Sequence, residues 1–95
     1  MDFNLIKELA LKEPKTMPER MLKLLEECGE LAQEVGINQN LSGFKHKENG
    51  ADGISGECID IMLVALSIFF QNGKSEEDLS SLVKEKCSKW QKHQS

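Results

Sequence analysis

The chain reads as an all-α protein, and three observations carry that reading. Apolar residues recur at helical spacing, helix-start and helix-stop signals bracket four segments, and neither alternating patterns nor β-branched runs occur. The expected architecture is a compact four-helix bundle in a single domain spanning 1–95. A chain this short buries a modest fraction of its surface, and dimerisation is expected to complete it.

The first helix is expected over 3–12, where Phe3, Ile6, Leu9 and Ala10 share a face and Pro14 ends the run. The second opens on a capping box, with Thr16 as N-cap, Glu19 three residues on and Pro18 in the tolerant first turn. Met21, Leu24, Leu25, Cys28, Leu31, Ala32 and Val35 then form one apolar stripe, while Lys23, Glu27, Glu30 and Glu34 cluster on the opposite side. Gly36 is the expected stop. Gly29 stands mid-helix, at a cost of roughly 1 kcal/mol relative to Ala.

A long break follows over 36–53, rich in glycine and polar residues, the composition of a binding loop or lid. The third helix should start near Ile54 or Ser55 and end at Asn72-Gly73. Ten of the twelve residues over 59–70 are apolar, on every side, so this helix is expected to be buried all round. The fourth starts with Ser75 as N-cap and Asp78 three residues later. Leu79, Leu82, Val83 and Cys87 supply its apolar face, and it should fade into a polar tail after Trp90.

A net charge of -4 argues against a general nucleic-acid surface but not against a nucleotide held through a metal. Cys28, Cys58 and Cys87 make an odd count without a Cys-x-x-Cys spacing, which fits a reduced, cytoplasmic setting. The first residues show neither a basic flank nor an apolar signal core. The run over 59–70, interrupted by Asp60 and Ser67, is shorter than the roughly 20 residues a bilayer needs, so no membrane partner is expected.

Chemistry concentrates in two acid pairs. Glu27 and Glu30 stand three apart on the second helix; Glu57 and Asp60 do so on the third. Taken alone, the second helix offers a solvated face, with Lys23 and Glu27 as a plain i,i+4 pair. The third helix changes the balance. Its acids lead into an apolar segment, and no basic residue lies between Lys47 and Lys74. Uncompensated and dry, they would cost several kcal/mol. A divalent cation shared by both helices resolves this, and oxygen-only ligands suit Mg²⁺ or Mn²⁺. His46 and His93 have no partner at metal-ligand spacing. An EF-hand register that ends on Glu57 puts His46 first and Ala51 at the glycine position, which excludes it.

Glu26-Glu27-Cys28-Gly29-Glu30, a loop, then Glu57-Cys58-Ile59-Asp60 resembles the MazG-like superfamily of all-α nucleoside triphosphate pyrophosphohydrolases. Leu24-Leu25 before the first motif, Gly29-Glu30-Leu31 within and after it, and the apolar run after the second extend the likeness over roughly 17–92. The resemblance implies a catalytic Glu26, which orients or deprotonates water, and Glu27, Glu30, Glu57 and Asp60 as Mg²⁺ ligands. It implies a (d)NTP substrate cleaved to monophosphate and pyrophosphate, and a homodimer or a tetramer of dimers. Lys45, Lys47, Lys86 and Lys89 are candidates for the phosphates, Trp90 and Phe44 for the base. The family's Lys/Arg-rich last helix often carries an Asn; here 85–92 has neither Asn nor Arg. Phosphoribosyl-ATP pyrophosphohydrolase is the runner-up, although its Ser-Tyr-Thr and Lys-Val-Gly stretch is missing from 14–25. A non-catalytic helical interaction module is the alternative from another class, and a degenerate, nucleotide-binding relative is the third.

Overall fold

The chain was analysed as a computed structural model, which describes residues 1–44, 49–50 and 53–94. Helix α1 spans Phe3–Lys12, and the Asp2 carboxylate accepts the Leu5 N–H at 2.9 Å as its N-cap. Extended backbone at Glu13, just before Pro14, ends it.

Helix α2 spans Met17–Asn38. The capping box forms in full: Thr16 Oγ1 accepts from the Glu19 N–H at 3.3 Å, and Glu19 Oε1 accepts from the Thr16 N–H at 3.0 Å. The helix runs two residues past the expected stop at Gly36. Asn40 takes the left-handed role instead, at φ 54°. The Leu41 N–H returns to the Gly36 carbonyl at 2.9 Å and the Asn40 N–H to that of Ile37 at 3.1 Å, a Schellman ending. Gly36 serves another purpose. A Cβ there would stand 2.8 Å from the Phe44 ring, so its bare backbone is the seat for Phe44.

Helix α3 spans Gly53–Gln71, starting a residue before the expected point, and Gly73 at φ 83° turns the chain after it. Helix α4 spans Glu76–Gln94. Ser75 caps it as expected: Ser75 Oγ accepts from the Asp78 N–H at 3.1 Å, and Asp78 Oδ2 from the Ser75 N–H at 2.8 Å. The helix stays regular beyond Trp90, where a tail was expected. Strands are absent among the described residues, so the fold is all-α.

Helices α1 and α2 both pack on α3. A small core of Ala10, Phe70 and Leu79, flanked by Phe3, Ile6, Leu66 and Phe69, joins α1 and the start of α4 to the end of α3. The rest of α4, 80–94, is exposed. The radius of gyration, 16.0 Å, exceeds the roughly 12 Å of a compact domain of this length. The bundle is therefore more open than expected. Only Phe70 of α3 is fully buried, and Ile59 and Leu63 remain 51% and 40% exposed. The expectation of a helix buried all round fails because two helices cover two sides and α4 meets only one end.

Helix α2 brings a second correction. Its buried residues are Arg20, Glu27, Glu34 and Gly36, with Leu24 and Leu31 half-buried beside them. Met21, Leu25, Cys28, Ala32 and Val35 of the apolar stripe are exposed. At 100° per residue, α2 is turned by about 80° from the orientation its stripe predicts. Charged residues seven apart, Arg20, Glu27 and Glu34, lie on the buried side of α2, and Arg20 shows how one is tolerated. Its guanidinium, 3% exposed, donates to the carbonyls of Ala10 at 2.8 Å, Glu13 at 2.9 Å, Lys15 at 3.2 Å and Ser67 at 3.3 Å. One side chain thereby ties the end of α1 and the connecting turn to α3.

Candidate metal centre

Arg20 meets Ser67 at one end of the seam, and Glu27 meets Glu57 and Asp60 further along, so α2 and α3 run antiparallel. One carboxylate oxygen each from Glu27, Glu57 and Asp60 lies within 4.8 Å of the others. Glu27 is 5% exposed; Glu57 and Asp60 are half-buried. The trio exists because seven-residue spacing holds Glu27 in the α2 seam, while three-residue spacing puts Glu57 and Asp60 on one side of α3.

Its electrostatics are those of an under-compensated anion cluster. Lys23 Nζ lies 3.0 Å from Glu27 Oε1 and 3.6 Å from Glu26 Oε1. Oε2 of Glu27 and Oε2 of Glu57 are buried, and among the described residues no N–H or hydroxyl group donates to either. The hydrogen bond from Lys23 holds the Glu27 carboxyl below its usual range. Glu57 is pushed up to about 7, first by loss of hydration, then by a hydrogen bond with Glu27 and by the charges of Glu30, Glu27 and Asp60. Near neutrality the Glu57 carboxyl is therefore partly protonated. Three converging carboxylates, two of them with a buried oxygen that receives no N–H or hydroxyl donor among the described residues, suit a small hard cation, which would compete with that proton.

Glu30 lies one turn beyond Glu27 on the exposed flank of α2. Its charge reaches Glu57, but it is outside the converging trio. Glu26 is exposed and paired with Lys23. Lys86, Lys89 and Trp90 are on the exposed length of α4, with Lys89 3.7 Å from Glu85 and Trp90 65% exposed. Within one chain they are not brought to the acids. Phe44 packs on Gly36. Lys45, Lys47 and His46 lie outside the described residues, and His93 is in the last turn of α4.

Sequence reasoning missed two buried charges. Glu34 reads as part of a solvated face, yet it accepts the Gly50 N–H at 2.7 Å and the Asn49 side-chain amide, and that amide also reaches the Glu34 carbonyl at 3.3 Å. It clips Asn49 and Gly50 to α2, two turns beyond Glu27. Its partners are fifteen and sixteen residues away, so no local pattern announces them. Arg20 had one signal, being the only arginine among eleven lysines, as a site needing a planar, multiply donating cation demands. Comparisons with protein-family models, with curated proteins and with solved structures find no match to this chain.

Proposed function

We propose that this protein is a Mg²⁺-dependent nucleoside triphosphate pyrophosphohydrolase of MazG-like type, cytoplasmic and homodimeric, that removes damaged or surplus nucleotides. The observation that carries the reading is the convergence of Glu27, Glu57 and Asp60, with a buried oxygen on Glu27 and on Glu57 that receives no N–H or hydroxyl donor among the described residues. Those three residues would hold Mg²⁺ or Mn²⁺, with Glu30 close by as a fourth ligand. The bound ion supplies phosphate charge neutralisation and a more acidic water. Glu26, exposed at the rim, takes the proton from water as it attacks the α-phosphorus. The α–β bond then breaks, leaving the monophosphate and pyrophosphate.

The homodimer is supported by the apolar residues that one chain leaves uncovered: Met21 and Leu25 on α2, Ile59 and Leu63 on α3, Val83 and Trp90 on α4. Over its full length α3 is long and apolar enough to cross a membrane, with mean hydropathy 1.8, which the shorter run over 59–70 did not suggest. Yet Glu57 and Asp60 lie in it, and a carboxylate deep in a bilayer costs about 3 kcal/mol. A second protein surface is the better-matched cover. The same exposed faces also fit a non-catalytic interaction module, so the test must separate the two.

That test is pyrophosphate release from a panel of canonical and damaged (d)NTPs and phosphoribosyl-ATP, with Mg²⁺ or with chelator. The expected result is Mg²⁺-dependent formation of monophosphate and pyrophosphate, reduced about 100-fold or more in a Glu57→Gln, Asp60→Asn variant. Release from phosphoribosyl-ATP alone selects the runner-up activity. No product from any substrate, with no rise in melting temperature on adding Mg²⁺, selects the interaction module.

A further inference from the structure

The groove between α2 and α3 has opposite charges along its length. Glu27, Glu57 and Asp60 occupy one end. One turn toward the start of α2 comes Lys23, four residues before Glu27; one turn further along α3 comes Val64, four residues after Asp60. There a hollow of about 140 Å³ opens, lined by Glu13, Lys15, Arg20, Lys23, Val64 and Ser67. The Arg20 donors are committed to backbone carbonyls. Lys15 Nζ, 3.2 Å from Glu13, and Lys23 Nζ sit on half-exposed side chains. Acids that suit a cation are therefore followed, along α2 and α3, by two ammonium groups on half-exposed side chains.

We propose that Lys23 changes partners during binding. It neutralises Glu27 while the trio lacks an ion, is displaced when a divalent ion takes that carboxylate, and then holds the substrate's outer phosphates, with Lys15 next along the groove. The inference rests on the pyrophosphohydrolase reading and deepens it by naming the phosphate contacts. Its second support is the buried Oε2 of Glu27, to which no N–H or hydroxyl among the described residues donates, on a 5% exposed residue whose other oxygen Lys23 holds. An ion bound through Glu27 places two positive charges at one carboxylate, which repels the ammonium. Lysine, a compact charge on a flexible stem, can move to an incoming phosphate without rearranging the helix. The groove thus favours metal first and nucleotide second.

The partner exchange predicts opposite effects from one substitution. Mn²⁺ binding without nucleotide, read by electron paramagnetic resonance, should tighten about 2- to 5-fold in Lys23→Gln, because a competing cation is gone. Lys23→Arg should stay near wild type. The nucleotide KM should rise about tenfold or more in Lys23→Gln, where a charge-assisted phosphate contact is lost. Lys15→Ala should raise KM and leave Mn²⁺ binding unchanged. Mn²⁺ binding that is unchanged or weaker in Lys23→Gln, or an unchanged KM, overturns the proposal while the activity stands. A wild-type chain that neither binds Mn²⁺ nor releases pyrophosphate removes the parent reading and this one together.

Discussion

Glu57 concentrates the physics of the site in one side chain. Its carboxyl titrates near 7 in the folded chain, above the usual 4.5, because it is poorly hydrated and faces other acids. A raised folded value means that its contribution to stability is complete below about 4.5 and is lost as pH rises through about 7. Glu27, shifted the other way, contributes above 4.5 and loses its part only in more acid solution. The melting temperature of the metal-free protein should therefore fall between pH 5 and pH 8. Glu57→Gln should flatten that fall, and Mg²⁺ should suppress it by binding the ionised form. Thermal melts in chelator and in Mg²⁺ across this range check it; an unchanged slope in the variant contradicts it. The acid motifs were legible in the sequence because three-residue spacing fixes a shared helix face. The place of Glu30 beside the converging trio was not, because the exact rotation of α2 about its axis decides which of two neighbouring acids enters the seam.

At the scale of elements, boundaries were legible where capping chemistry is local. Thr16 with Glu19 and Ser75 with Asp78 each satisfy orphan backbone groups within four residues, and both helix starts fall where expected. Gly36 misled because a glycine that stops a helix and one that seats an aromatic ring look alike in sequence. The orientation of α2 misled for a larger reason. An apolar stripe shows which face wants cover, not which neighbour supplies it. Here the orientation of α2 departs from the stripe and lets the Arg20 guanidinium reach four carbonyls on α1, the connecting turn and α3. Arg20→Lys keeps the charge but cannot reach that many acceptors in a plane. It should lower stability by about 2 kcal/mol, read as a smaller urea midpoint with an unchanged slope. A variant as stable as wild type would show that the Arg20 bonds are incidental to helix placement.

For the whole molecule, the proposed homodimer would cover the apolar stripes that one chain leaves exposed. The sequence showed how much apolar surface there is, but burial depends on tertiary neighbours that one chain lacks. Stable interfaces bury on the order of 800 Å² per partner, and the exposed apolar sides of α2, α3 and α4 are the surface such an interface would use. Sedimentation should find a dimer for the wild type. Leu25→Glu with Leu63→Glu should give a monomer, because a carboxylate buried without a partner costs several kcal/mol. A wild-type monomer at micromolar concentration would remove the dimer from the account. The α4 lysines and Trp90, distant from the acids within one chain, reach a site in such an assembly only if a second copy presents them.

The central claim is that Glu27, Glu57 and Asp60 form a divalent-cation site. Calorimetric titration of the chelator-treated protein with Mn²⁺, beside the Glu57→Gln, Asp60→Asn variant, tests it most directly. The trio predicts saturable binding at one ion per chain, accompanied by proton release near pH 7 and abolished in the variant. Absent binding, or binding of equal strength in wild type and variant, would contradict it.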